Sequence, residues 1–202
     1  MTDHAPIVSP SLAARVKGII LRPSPEWDVI DGEPATVKGL FSGYAMVLAA
    51  IGPIAGLIGG VVFGHSIIGS LLGALLGYAM ALLSVLLIGI VIDALASSFG
   101  GVSNRTQAMK VAVYSSTPSW VAGAFGIIPP LGLIAAIVGG LYGLYVLYLG
   151  LPKLMKAPQD KAVIYTIVVV LIAIVISWIA LLITGAVVAS FVVAGAMATG
   201  GL

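Results

Sequence analysis

The sequence predicts an all-α, polytopic integral membrane protein: a five-helix transmembrane bundle with a short amphipathic cytoplasmic N-terminal segment. Three observations carry the prediction. Of 202 residues, 60% are hydrophobic and 8% charged, with a mean hydropathy of +1.21, whereas soluble chains average about 25% charged. Five apolar stretches each reach the roughly 20 residues needed to cross a hydrocarbon core. All nine lysines and arginines fall in alternate gaps around these stretches, as expected where cytoplasmic loops collect the cations. The same composition excludes a disordered chain, a coiled coil and a nucleic-acid binder, since a net charge of +2 is too small to hold phosphates. The absence of cysteine excludes disulfides, thiolate catalysis and cysteine metal sites.

Residues 1–39 form the expected cytoplasmic N-terminal segment. Residues 1–37 hold eight charged residues and no apolar run of about 7 to 15, so they do not read as a cleaved secretion signal. Ser9, Pro10 and Ser11 offer a cap and a helix start. Leu12, Val16, Ile19 and Ile20 then share one helical face. Arg15, Lys17 and Arg22 lie on or beside the other sides, and Ser24-Pro25-Glu26-Trp27 starts a second short helix with an aromatic suited to an interface. Arg15, Lys17, Arg22 and Trp27 are therefore expected at the membrane surface, facing anionic headgroups. The other placement puts this helix on the protein's own cytoplasmic face. Gly32 and Pro34 end the second piece.

Residues 40–202 form the expected five-span domain, with crossings at about 40–63, 67–96, 108–128, 131–151 and 162–190. Gly64-His65-Ser66 makes a tight turn, residues 97–104 a small-residue loop, Pro129-Pro130 a break and residues 152–161 a polar loop. The apolar run from Ala162 to Ala198 spans about 55 Å as a helix, longer than a core of about 30 Å. One long helix with a loose small-residue tail is preferred over two crossings turning near Thr184-Gly185. The cations precede the first stretch, separate the second from the third and separate the fourth from the fifth. This places the N-terminus in the cytoplasm and the C-terminus outside.

Small residues mark helix contacts. Gly52, Gly56 and Gly60 repeat on the first span, and Gly69, Gly73 and Gly77 on the second. Glycine faces let backbones approach closely where lipid supplies no hydrophobic drive. Gly139 and Gly143 form a weaker patch on the fourth span. Whether these faces meet each other or another subunit is left open.

Chemistry-bearing residues are few. Asp93 is the acidic residue inside an apolar stretch, a candidate proton or cation relay, or a partner for Arg105 or Lys110 near the cytoplasmic interface. Gln107 and Lys110 lead into Tyr114-Ser115-Ser116-Thr117-Pro118-Ser119-Trp120. Such polarity is costly in lipid, so Tyr114, Ser115, Thr117, Pro118 and Trp120 are expected to kink, line a hydrated cavity or pack among helices. Pro118 frees a carbonyl near Tyr114 for a hydroxyl of Ser115 or Thr117. Tyr142, Tyr145 and Tyr148 share the fourth span and face this region or form an interfacial belt. His4 and His65 fall on opposite sides of the membrane and cannot share a metal. No catalytic set, cofactor site or metal site is expected.

At these residues the sequence resembles the Yip family of Rab-GTPase-interacting membrane proteins, in its bacterial branch. The resemblance runs from about Arg15 to Ile183. It rests on Arg22-Pro23 with Trp27, Glu33-Pro34-Ala35, the Tyr114–Trp120 run, Tyr142 through Tyr148 with Gly150-Leu151-Pro152, and Lys161-Ala162 with Tyr165-Thr166. It implies five spans with a cytoplasmic N-terminus. Eukaryotic members are linked to vesicle budding and carry an Asp-Leu-Tyr-Gly-Pro type motif that does not occur in this sequence. The expectation is a non-enzymatic inner-membrane organiser or adaptor. Its partners would be membrane lipids at the cytoplasmic face and another copy or another membrane protein. The alternative is a small channel or transporter lined by Asp93 and the Tyr114–Trp120 segment.

Overall fold

The computed structural model describes residues 10–198, and every regular element among them is helical. α1 covers Leu12–Leu21, its start capped by the Ser11 Oγ accepting from the Ala14 amide. α2 covers Pro23–Gly32, with proline in its first turn, where the missing N–H has no partner to lose. Thr36 caps α3 (Val37–Leu40), which passes through a π-helical turn at Phe41–Ala45 into α4 (Met46–Ala49) and α5 (Ile51–Val62). Gly64, at φ 84°, turns the chain into α6 (Ile67–Ala96). A 3-10 turn ends at Gly100, at φ 74°, and Asn104 caps α7 (Arg105–Ser115) through the amides of Thr106 and Gln107. α8 (Thr117–Ala122) and a 3-10 turn at Gly123–Ile127 follow. α9 covers Pro129–Met155 and ends at Lys156 in the left-handed conformation, φ 53°. α10 covers Gln159–Ala198.

Four helical stretches are long and apolar enough to cross a membrane: Val37–Val62, Ile67–Phe99, Pro129–Met155 and Gln159–Gly195. The third expected stretch instead consists of α7, α8 and the 3-10 turn. Pro118 cannot continue α7 and sits in the first turn of the new helix. The three pieces still run from beside the end of α6 to the far end of α5, where a Cβ on Gly59 would lie 2.6 Å from the Ile127 carbonyl oxygen. α10 continues through Gly185 without a turn, and its 40 residues give about 60 Å of helix.

The packing core gathers at the end of the bundle that carries the cations. Trp27, Ile30, Met109, Val111, Val113, Val146, Leu151 and Tyr165 are fully buried there. Leu133, Ile134, Leu171, Trp178 and their like lie exposed along the crossings, as suits lipid contact. The glycine stripes are used unevenly. Gly52 meets Gly123, Gly60 meets Ser70, and Gly69 and Gly73 meet Val192 and Val188 of α10, but a Cβ on Gly56 or Gly77 would meet nothing within 4 Å. The closest approach of α5 to another backbone is made by Gly59, outside the stripe. On α9, Gly139 and Gly143 lie against the backbone of Pro118 and Ser115, within 2.9 Å of a Cβ position.

Candidate functional site

α1 and α2 fold back across the ends of α7 and α9, held largely through their own backbone. Tyr142 donates to the Ile20 carbonyl at 2.7 Å, and Lys153 to that of Ser24 at 2.7 Å. Lys153 also pairs with Asp28 and Lys156 with Asp31. Gln107 Nε2 donates to the Asp31 carbonyl and carboxylate at 3.2 and 3.0 Å, leaving its buried Oε1 unpartnered. Trp27 is 0% exposed, its indole N–H donating to the Val146 carbonyl at 3.0 Å. Its expected place at the membrane surface is thereby corrected. The ring fits where Gly150 lacks a side chain, and burying it removes a large apolar area from water or headgroups.

Arg15 is corrected in the same way. It is 3% exposed, pairs with Glu26 at 2.5 Å and with Glu33, and lies over the Tyr114 ring at 5.5 Å. Burial alone lowers its proton affinity. The hydrogen bond and charge of Glu33, with Tyr114 and Glu26, outweigh that and raise its pKa above the ordinary value. The amphipathic face of α1 thus meets the protein, and its arginine is drawn inward by two carboxylates. Lys17 and Arg22 remain exposed. Lys110, also 3% exposed, donates to the carbonyls of Ile30 at 2.8 Å and Glu33 at 2.6 Å.

These groups border a cleft of about 500 Å³ between α1, residues 33–36, the start of the first crossing and α7. Arg15, Glu33, Gly43, Tyr44, Lys110 and Tyr114 line it. Tyr44 and Tyr114 meet edge to face at 4.9 Å, and Trp27 meets Tyr114 edge to face at 6.3 Å. The Tyr44 hydroxyl shares a hydrogen bond of 2.9 Å with Thr117 Oγ1, which is wholly buried.

The Tyr114–Trp120 run divides between separate places. Tyr114 faces this cleft. Ser115, Ser116 and Ser119 border a second cavity of about 630 Å³ with Ser177 and Trp178 of α10. Trp120 borders an adjoining cavity of about 400 Å³ that shares Ser116, Ser119 and Ser177. Ser115 donates to the Val111 carbonyl at 2.6 Å and Ser116 to that of Ala112 at 2.9 Å. The expected hydroxyl bond to the Tyr114 carbonyl is not made, because Thr117 turns to Tyr44 and both serines reach back one turn. Pro118 is buried at the start of α8.

Asp93 accepts from Ser103 Oγ at 2.8 Å and pairs with neither Arg105 nor Lys110; Arg105 is exposed. Tyr145 and Tyr148 are exposed, while Tyr142 serves α1. His4 lies outside the described residues. Sequence reasoning passed over Glu33, Tyr44 and Gly150 as site residues. The Glu33-Pro34 and Gly150 motifs were visible, but nothing in them told which cation or ring they meet.

Neither the curated proteins nor the solved structures contain a match to the chain. The Yip1 domain family matches residues 17–181, from within α1 into α10, and so takes in α2, the cleft residues from Glu33 to Tyr114, three of the long apolar helices and the first part of the fourth. The chain therefore belongs to the Yip1 domain family of membrane proteins.

Proposed function

We propose that this protein is a non-enzymatic organiser or adaptor of a bacterial inner membrane, crossing it five times with its N-terminus in the cytoplasm and its C-terminus outside. The third crossing is the broken segment Arg105–Ile127. The reading draws support from that segment's course along the length of α5 and from the gathering of cations at one end.

One observation carries the functional part. α1 and α2 consume Arg15, Lys110, Lys153 and Lys156 in docking, yet Lys17, Arg22, Lys38, Arg105 and Lys161 stay exposed and form no ion pair among the described residues. Exposed cations on the cap, Lys17 and Arg22, and at the ends of the neighbouring helices, Lys38, Arg105 and Lys161, suit contact with anionic lipid or an acidic partner. Single cysteines placed at Lys17 or Lys38 and crosslinked in native membranes are expected to trap a second copy or another membrane protein. Recovery of monomers alone overturns the reading.

The two adjoining serine-lined cavities favour a second reading, a channel or transporter for an ion or small solute. Proteoliposome flux that is lost in Ser119→Leu, which narrows both cavities, would select it over the first.

A further inference from the structure

We propose that the cleft beside Tyr114 binds the headgroup of a zwitterionic phospholipid of the ethanolamine type. Its phosphate meets Tyr114 and Lys110, and its ammonium faces Glu33.

The free hydrogen-bonding capacity of the cleft selects a phosphate. Tyr114 is 9% exposed, yet its hydroxyl has no hydrogen-bond partner among the described residues. Lys110 spends two of its three donors on the Ile30 and Glu33 carbonyls. Each Glu33 oxygen accepts from Arg15 Nη2 and keeps a second lone pair that an ammonium can meet. Charge selects a zwitterion. Arg15 and Lys110 balance Glu26 and Glu33, and a neutral headgroup preserves that balance where an anionic one leaves an uncompensated charge in a half-buried site.

Position selects a lipid over a free metabolite. Leu40, Gly43 and Tyr44 belong to the first turns of the Val37–Val62 crossing, which is headgroup depth. Leu12, Pro34 and Leu40 add apolar surface to the lining of the cleft. The wall formed by Gly43 and Tyr44 is the π-helical turn, a distortion that frequently accompanies function. This site is independent of the exposed cations.

The test uses the full chain in detergent, titrated with phosphatidylethanolamine or phosphatidylglycerol, with bound lipid counted by native mass spectrometry. Saturable retention of the ethanolamine lipid is expected. Tyr114→Phe removes only the unpartnered hydroxyl and should weaken retention about tenfold while the lipid-free protein melts as before. Gly43→Leu grows a side chain where a Cβ meets nothing within 4 Å, and should block retention. Equal retention by Tyr114→Phe and the unaltered chain overturns the proposal, as does phosphatidylglycerol binding as tightly as phosphatidylethanolamine.

Discussion

The indole of Trp27 occupies the space a side chain on Gly150 would fill, with Cζ2 lying 2.5 Å from the Cβ position. One turn away, the same ring is bonded to the Val146 carbonyl. Gly150→Ala must expel the ring, and overpacking of this kind costs about 1–3 kcal/mol. Gly140→Ala on the same helix meets nothing within 4 Å and should be neutral or slightly stabilising. Thermal unfolding of both variants in one detergent checks the contrast.

Removing Arg15 leaves Glu26 and Glu33 facing each other without their cation. Arg15→Met should destabilise the docked cap by about 3 kcal/mol. Limited proteolysis should then cut within α1 or α2 while the apolar helices stay protected. Cleavage as slow as in the unaltered chain would show that the ion cluster does not hold the cap.

Lys110→Met leaves the carbonyls of Ile30 and Glu33 without their donor. An unmet buried acceptor costs about 1–3 kcal/mol. Amide exchange of α2 should accelerate with little change in α6, since α6 makes none of these bonds.

Tyr44 and Thr117 share one buried hydrogen bond. A double-mutant cycle of Tyr44→Phe and Thr117→Val should return a coupling of about 1 kcal/mol. A coupling near zero would mean that the two hydroxyls are solvated independently.

On α5 the contrast lies between neighbours. Gly59→Ala drives a Cβ into the Ile127 and Gly126 carbonyls, whereas Gly56→Ala enters open space. Gly59→Ala should unfold at lower temperature than Gly56→Ala, although only Gly56 belongs to the i, i+4 stripe.

The long helices were legible because lipid demands only length and apolarity, both visible in runs such as Ile67–Ala96. α7 was harder. It is buried on nearly all sides by protein, so polar residues such as Lys110 and Ser115 find partners and the apolar run is broken. The face shared by Leu12, Val16 and Ile19 was readable, but periodicity says which residues share a face and not what covers it. Hence the sequence leaves the first helix two placements, on the membrane surface or on the protein's own cytoplasmic face, and Arg15 and Trp27 take the second, against Glu33 and Gly150. Spacing likewise marks glycines that permit close approach without showing which helix arrives. Gly139 and Gly143 are used by the backbone of α7 and α8, while Gly77 is not used.

The cap's partners are remote in sequence. Trp27 waits for Val146, 119 residues on, and Ser24 for Lys153, 129 residues on. A chain is made N-terminus first, so α1 and α2 emerge long before anything exists for them to dock upon. Closure of the cap belongs at the end of biogenesis, after α9 has been inserted. Until then Arg15 and Trp27 stand uncovered, and this interval is when the nascent chain is most open to an insertion factor or a protease.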